Sequence, residues 1–430
     1  MKKFILLFLF LPLGVFAQSF LISNIPIPKT YIQNLDPYPC NEECLQTYLD
    51  NDMIFSFLSH ANSKLQNPEL DEIRMMNISI LNIGSNIPTD ALRIALLLPY
   101  KLIGRYAAST TNASFAYLLA KNHSFELKSY QIESQSPEDI QKAIVQIKED
   151  GFYYVIAPLT QEGADVVAQI NPELSIYFPT INKKDVSHTS AYLYYGGIDY
   201  KAQSDLLLKE AVSPLVIFFD NSAIGKNLTK YEENKFKYKE IIDENLSLDN
   251  EGIIENYAEK QKFVLDENKT VIKFEIPRRT TNLEKELKEN EDIKQGSFFI
   301  NTPIVKSGMI MSQLTLYDTN STNVLSTQIN YDPLLLSMTQ YVDRKDMIVA
   351  NSITYNNNIL VETNALLGND IVYDWINYTT TVGIDYFFNL ITQEDREYNI
   401  QMHNNQMIYP IELLRPSLSR FMKHLPTIKE

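Results

Sequence analysis

The regular part of the hydrophobic and polar pattern starts at Leu92. From there, short and almost wholly apolar runs alternate with segments whose apolar residues recur every three or four positions. The runs predict strands buried on both faces, and the periodic segments predict amphipathic helices that cover them. The predicted order is strand 93–98, helix 103–121, strand 125–132, helix 137–149, strand 153–157, helix 163–170 and strand 175–178.

A second series of the same kind follows, so the pattern predicts two α/β units. Its elements are helix 200–211, strand 215–219, strand 271–276, helix 282–289, strand 297–300, strand 347–350, a long helix within 369–391 and a hairpin-like segment at 406–414. Residues 226–269 are more charged than their flanks and are interpreted as an insertion on the surface.

The N-terminal 91 residues differ from this pattern. Residues 1–17 combine two lysines, an apolar stretch and the ending Val15-Phe16-Ala17, which predicts a signal peptide cleaved after Ala17 and export to the periplasm. Its apolar core is too short for a membrane span, and no transmembrane anchor is expected. Residues 18–91 read as an irregular N-terminal extension with one helical pattern at 44–61.

The charge and the cysteine content of the chain limit the functions that it can have. Asp plus Glu outnumber Lys plus Arg by 53 to 38, so a nucleic-acid partner is not expected. Cys40 and Cys44 are the two cysteines, and in an exported chain the pair favours a local disulfide. A metal site and a redox pair are the alternatives, and a metal site would need more thiolate or imidazole ligands nearby.

The segment order carries a resemblance. RIALLLP at 93–99, YYVIAPLTQEGA at 153–164, IYFPTINKKD at 176–185, YYGGIDYKAQSDLLLKEA at 194–211 and SPLVIFFDNSAIGKNL at 213–228 resemble type I periplasmic binding proteins over residues 92–430. The same fold occurs in the penicillin-binding protein activators, which regulate peptidoglycan synthesis. The fold class implied is α/β, with two lobes, each a mostly parallel sheet flanked by helices.

The resemblance also implies how the chain divides between the lobes. The first lobe is expected at 92–198 and 347–393, and the second at 199–346 and 394–430. Gly196-Gly197 lie where the chain would change lobes, and glycine tolerates dihedral angles that a hinge would need.

The cleft positions of the family fall on six residues here: Thr160, Gln161, Thr180, Tyr195, Asp199 and Asp220. Thr160 is equally a good N-cap for the helix that follows it, and Asp or Thr at a strand end commonly bonds to loop backbone. No Ser/Thr-Arg-Asp set for an amino-acid zwitterion is recognisable. Capping is therefore the preferred interpretation of Thr160, and ligand contact the alternative.

Modification motifs are more specific than catalytic ones. No HExxH, GxSxG or Walker sequence occurs, so neither an enzyme nor a cofactor is expected. Asn245, Asn268 and Asn320 begin Asn-x-Ser/Thr sequences with Asp two residues earlier, which resemble the acceptor of bacterial periplasmic N-glycosylation.

These features together predict a non-enzymatic periplasmic protein that interacts with, or regulates, a protein partner in the cell envelope. The alternative is a solute receptor that closes on a small-molecule ligand in the inter-lobe cleft and delivers it to a transporter. The N-terminal extension favours the first function, because a receptor would normally begin its first strand soon after the signal peptide.

Overall fold

The computed structural model describes residues 30–36, 38–84, 92–121, 123–242 and 261–425. The chain divides into two compact units, Met1–Ala91 and Leu92–Glu430. The predicted signal peptide and Asn245 lie outside the described residues. Among the residues that the structure does describe, no helix is both long and apolar enough to span a membrane.

The N-terminal unit contains helices α1 (Glu42–Asp50), α2 (Ile54–His60) and α3 (Pro68–Ile80). The sequence predicted one helix over 44–61, but two are present, because Asp52 adopts a positive φ of 58° between α1 and α2. The predicted disulfide between Cys40 and Cys44 is confirmed, and it ties the residue before the Asn41 cap to the first turn of α1. The unit has its own small core, formed by Leu45, Phe57, Leu58, Ala61 and Leu70.

The second unit, called the body below, alternates strands and helices. Its strands are β1 (Leu92–Leu98), β2 (Phe125–Gln131), β3 (Tyr154–Ile156), β4 (Ser175–Phe178), β5 (Leu193–Tyr195), β6 (Leu215–Phe219), β7 (Tyr238–Ile242), β8 (Gln261–Leu265), β9 (Val271–Glu275), β10 (Ser297–Asn301), β11 (Asn323–Ser326), β12 (Met347–Asn351), β13 (Gln401–His403), β14 (Gln406–Ile408), β15 (Glu412–Pro416) and β16 (Phe421–Lys423). Its helices are α4 (Tyr100–Ile103), α5 (Arg105–Ala120), α6 (Pro137–Glu149), α7 (Gln161–Ile170), α8 (Tyr200–Leu207), α9 (Ala223–Lys237), α10 (Glu284–Leu287), α11 (Ile304–Leu316), α12 (Pro333–Met338), α13 (Tyr341–Arg344), α14 (Asn358–Leu366) and α15 (Trp375–Thr392).

Two seven-stranded sheets define two lobes. The first has the order β13-β14-β5-β4-β3-β1-β2 and the second β16-β15-β12-β11-β10-β6-β9. Neighbouring strands are parallel except for β13 with β14 in the first sheet and β12 with β15 and β15 with β16 in the second. The predicted α/β class with two mostly parallel sheets is confirmed.

Two segments belong to the opposite lobe from the one predicted. Strand β12 pairs with β11 and β15, so 347–351 belongs to the second sheet. Strand β14 pairs with β5, so 401–408 belongs to the first sheet. The hairpin predicted at 406–414 was wrong for the same reason, since β14 and β15 lie in different sheets. Helices α14 and α15 pack on α5, as their assignment to the first lobe required.

The charged insertion starts later than the sequence suggested. Residues up to Lys237 form α9, a crossover helix whose buried side chains include Leu228, Thr229 and Phe236. Helix α11 and strand β11 were missed. Helix α11 is apolar around much of its circumference, so it lacks the one-sided pattern that identifies an amphipathic helix.

Candidate binding cleft

The predicted ligand-contacting residues lie at, or within a few residues after, the carboxyl ends of parallel strands. The chain crosses between the lobes at 196–199, 352–357 and 409–411. Carboxyl ends of parallel strands are the usual ligand-binding edge of an α/β sheet. This edge of each sheet is therefore the candidate site.

Thr160 forms the N-cap of α7. Its Oγ1 accepts a hydrogen bond from the Gly163 N–H at 3.3 Å and donates one to Gln135 Oε1 at 2.7 Å. The Thr160 N–H also donates to Gln135 Oε1, at 3.2 Å. Both the donor and the acceptor capacity of the hydroxyl are therefore used inside the first lobe.

The next three predicted residues also have partners or surroundings within the first lobe. Gln161 donates from Nε2 to the Asp185 carbonyl, and Thr180 Oγ1 donates to the Leu159 carbonyl at 3.4 Å. Tyr195 has no exposed surface and packs in the apolar core beside Phe178. Burial raises the pKa of Tyr195 to about 12. Its ring therefore contacts the core, and a cleft ligand would not reach it in this conformation.

Asp199 and Asp220 stabilise turns of the second lobe. Asp199 is the N-cap of α8, accepting from the Ala202 N–H at 2.9 Å, and it pairs with Lys184 Nζ at 2.5 Å. Asp220 Oδ1 accepts from the Ser222 N–H at 3.2 Å and from its hydroxyl at 2.5 Å. The structure thus places the six residues along both edges, without gathering them around one point.

Glycine is required at the first crossing for space. Gly196 and Gly197 have no positive φ; instead, a Cβ on Gly196 would lie 1.9 Å from the Tyr177 hydroxyl, and one on Gly197 would lie 2.4 Å from the Ile181 carbonyl carbon. The Gly197 N–H also donates to the Ile181 carbonyl at 2.8 Å, and Asn182 Nδ2 donates to the Gly197 carbonyl at 3.1 Å. This crossing is bound firmly to the first lobe.

Aromatic rings connect the lobes. Tyr373, which precedes α15 of the first lobe, packs against Tyr331 and Phe421 of the second, with ring centroids 5.1 and 6.3 Å away, and those two rings lie 4.8 Å from each other. Trp375 of the first lobe packs edge-on against Tyr200 of the second at 6.2 Å. Such ring pairs contribute about 0.5–1.5 kcal/mol each beyond the area they bury. These aromatic side chains therefore join the two lobes.

The pKa shifts of two groups beside the Trp375–Tyr200 ring pair are consistent with this contact between the lobes. Burial raises the pKa of Tyr200, and the nearby carboxylate of Asp374 raises it further. Burial also raises the pKa of Asp374, which caps α15 by accepting from the N–H groups of Ile376 and Asn377 at 2.9 and 3.3 Å. An ionisable group of each lobe is therefore partly shielded from water where the lobes meet.

A buried polar network lies beneath the edge of the second sheet. Gln203 of α8 donates to Gln328 Oε1 at 3.1 Å and to the Ser352 hydroxyl at 2.8 Å, and its own Oε1 accepts from the Gln328 N–H at 2.9 Å. Gln203 has no exposed surface, and Gln328 and Ser352 are nearly as buried. These bonds fix α8, which carries Tyr200, to the loops after β11 and β12.

Glu232 forms the second half of this network. It is fully buried on α9 and accepts from the Ser204 hydroxyl at 2.9 Å and from Asn301 Nδ2 at 2.5 Å. Burial raises the pKa of Glu232 to about 8, against the effect of the two hydrogen bonds.

Sequence reasoning missed both the aromatic bridge and the buried network. Trp375 is the single tryptophan of the chain, which was a usable signal for a special position. Glu232 lies in the segment interpreted as a surface insertion, and Gln203, Ser204 and Asn301 carry no local feature that separates them from surface residues. Nothing in their spacing indicated a shared environment.

The comparisons with known proteins give a fold and no close relative. A scan against protein-family models finds no match, and a search of curated proteins finds none either. An ABC transporter substrate-binding protein from Sphaerobacter thermophilus is similar in structure, with a TM-score of 0.54 and 12% identity, over 78% of this chain and 97% of that one. The leucine binding protein LivK from Thermotoga maritima has a TM-score of 0.50 and 11% identity, over 78% and 98%.

A third similar structure covers more of this chain. Full-length LpoA from Haemophilus influenzae has a TM-score of 0.50 and 12% identity, over 89% of this chain and 65% of that one. The C-domain of that protein is described as a regulator of PBP1A. This chain therefore spans less than two thirds of LpoA, while it spans nearly all of the two transport proteins.

Proposed function

Because this chain has the type I periplasmic-binding-protein fold, we propose that it is an exported, non-enzymatic protein of the periplasm that binds and regulates a protein partner in the cell envelope. The observation that carries the proposal is the use of the cleft residues. Thr160, Asp199 and Asp220 already have hydrogen-bond or ion-pair partners within the chain.

The free energy of those contacts opposes ligand capture. A ligand that took the Thr160 hydroxyl would compete with Gln135 and with the cap of α7, and one that took Asp199 would compete with Lys184 and the cap of α8. A cap alone contributes about 1 kcal/mol. A receptor built to grip a solute would leave such groups available at its cleft.

The aromatic bridge supports the same function. Receptors of this fold bind by closing two lobes around a ligand, which requires surfaces that separate and rejoin. Here the ring of Tyr373 in the first lobe already packs against Tyr331 and Phe421 of the second. A body held in one arrangement is better suited to presenting a constant surface to a protein.

The share of this chain that each similar structure matches is the third observation that supports the proposed function. The two transport proteins match about four fifths of this chain, the share that the body occupies, whereas LpoA matches 89% and so extends into the N-terminal unit. The penicillin-binding protein activators, which the sequence resembles, regulate peptidoglycan synthesis. A synthase of the same envelope is accordingly the partner that we propose to test first.

One experiment addresses the partner. The purified chain is titrated against the periplasmic domains of each bifunctional penicillin-binding protein from the source organism, and transpeptidase rates are measured with and without it. We expect saturable binding and a changed rate with one of them. Binding to none of them would contradict this partner. The same assay is repeated with a variant that lacks the N-terminal unit, and loss of the rate change in that variant would assign a role to that unit.

A second experiment tests the solute-receptor alternative, which the two similar transport proteins favour. Thermal unfolding is recorded with amino acids, small carboxylates and peptidoglycan fragments. A true ligand at about 100 times its dissociation constant would stabilise the protein by about 2.7 kcal/mol. We expect no such shift. A ligand whose affinity falls in both Thr160→Ala and Asp199→Ala would overturn the proposed function and leave the fold intact.

A further inference from the structure

Two of the Asn-x-Ser/Thr motifs with an acidic residue at the −2 position lie in the described part of the chain, and their surroundings differ. Asn268 lies in a turn between β8 and β9, and Asn320 lies between α11 and β11. Both asparagines are exposed. Their sequences, DENKT and DTNST, meet the same motif. Both have Asp at −2 and Thr at +2, so the residues that the motif requires do not distinguish the two sites.

Asn268 is presented by a tight turn. The Lys269 N–H donates to the Asp266 carbonyl at 3.0 Å, and the Asn268 N–H donates to Asp266 Oδ1 at 3.3 Å. Within the described residues, neither the Asn268 amide group nor the Thr270 hydroxyl has a hydrogen-bond partner. The asparagine amide and the hydroxyl two residues later are therefore both accessible to an enzyme.

Asn320 is held differently. The Asn320 carbonyl accepts from the Gln295 N–H at 2.7 Å, and the Thr322 N–H donates to the Gly296 carbonyl at 2.9 Å. The Thr322 hydroxyl donates to the Gln295 carbonyl at 2.6 Å. The motif is thus bonded on both sides to the turn before β10, and its hydroxyl is occupied.

This difference matters because the motif requires Ser or Thr at the +2 position, so the transferase must recognise that hydroxyl. Recognition at Asn320 would require release of the Thr322 hydroxyl and of two main-chain bonds next to the start of β11. At Asn268 the main chain is also bonded, since the Thr270 N–H donates to Ser213 Oγ at 3.0 Å and the Leu215 N–H donates to the Thr270 carbonyl at 2.9 Å. The difference between the two sites is therefore the hydroxyl: that of Thr322 is occupied, whereas that of Thr270 has no partner within the described residues.

We propose that Asn268 is an N-glycosylation site of the folded protein and that folding suppresses modification at Asn320. The donor is an oligosaccharide linked to a polyprenyl pyrophosphate. The Asn268 Nδ2 forms a bond to the anomeric carbon, the bond from that carbon to the pyrophosphate oxygen breaks, and lipid pyrophosphate leaves. The amide proton passes to a carboxylate of the transferase. The proposal requires export of the chain and is independent of its partner.

The test uses a purified bacterial oligosaccharyltransferase, its lipid-linked oligosaccharide and the folded chain carrying Asn245→Gln, which removes the third motif. Site occupancy is measured by peptide mass spectrometry. Synthetic peptides covering 263–273 and 315–325 serve as unfolded controls. We expect occupancy at Asn268 to exceed that at Asn320 by about tenfold or more in the folded chain, since one net hydrogen bond of typical strength is worth about that factor.

The peptides should be modified to similar extents, which would assign the difference to folding. Asp266→Ala should abolish modification at Asn268, while Asp318→Ala should leave the folded chain unchanged. Thr322→Ser is the matched control for hydroxyl identity at the second site. Equal occupancy of the two asparagines in the folded chain would overturn the proposal, as would an unmodified Asn268 in a chain whose 263–273 peptide reacts, or failure of both peptides to react.

Discussion

At the edge of the first sheet, Thr160 and Thr180 remain partly exposed and bond to nearby loop groups, whereas at the edge of the second, Gln203, Ser204 and Glu232 are fully buried. The first set stabilises individual turns. The second joins α8 and α9 to the ends of three strands. Similar polar groups therefore contribute differently to the stability of the two lobes, because a buried group that loses its partner cannot bond to water instead.

Removing the centre of the buried set should have the largest effect. Glu232→Ala leaves the Ser204 hydroxyl without its partner, leaves Asn301 Nδ2 with only the 3.5 Å contact to Thr229 Oγ1, and opens a cavity. We therefore expect a loss of about 3 kcal/mol in the free energy of unfolding. Urea denaturation followed by circular dichroism measures it. Glu232→Gln is the matched control, since it keeps the shape and a hydrogen-bonding group, and it should lose about 1 kcal/mol. Equal, small losses in both variants would show that the buried network contributes little to the free energy of unfolding.

The same residue should make stability depend on pH. The pKa of Glu232 is raised in the folded state to about 8, so the folded chain holds a proton that the unfolded chain releases near its ordinary value of 4.5. The contribution of this group to stability is therefore fully present below about pH 4.5 and declines as pH rises towards 8.

Urea midpoints at pH 5, 7 and 9 test this, with Glu232→Gln as the reference that removes the contributions of other groups. We expect the wild type to lose stability relative to that variant as pH rises. A constant difference between the two across this range would mean that Glu232 ionises alike in the folded and unfolded chains.

The smallest effect is expected at the edge of the first sheet. Thr160→Ala removes the cap of α7 and should cost about 1 kcal/mol, since Gly163 can bond to water instead. Thr160→Ser keeps the hydroxyl and should be close to the wild type in the same denaturation assay. A loss in Thr160→Ala as large as that in Glu232→Ala would remove the contrast between the two edges.

The sequence predicted local elements well where apolar residues are contiguous. Strands β4 and β6 and helix α6 have the predicted bounds. It did not predict which sheet β12 and β14 would join, since an apolar run specifies a strand and leaves its partner open. That choice depends on pairing between segments far apart in the chain.

The candidate site was predictable only in part. The position of Thr160 before α7 identified a cap, and the structure has one. The contacts that fix the second lobe join residues 125 positions apart, as between Gln203 and Gln328, and 149 positions apart, as between Gln203 and Ser352. Glutamine and serine are common surface residues, so only the fold reveals that these side chains are buried.

The last two strands of the second sheet also bear on the order in which the lobes can form. The first sheet obtains β1 to β5 from a continuous stretch, but β12 acquires its neighbour β15 only after the chain has returned to the first lobe through α14, α15, β13 and β14. During synthesis from the N-terminus, β12 is therefore a bare edge while more than fifty further residues are made. Exposed edges of this kind pair with foreign strands. A released chain truncated after residue 405 should accordingly aggregate more during refolding than a chain that also carries 406–425.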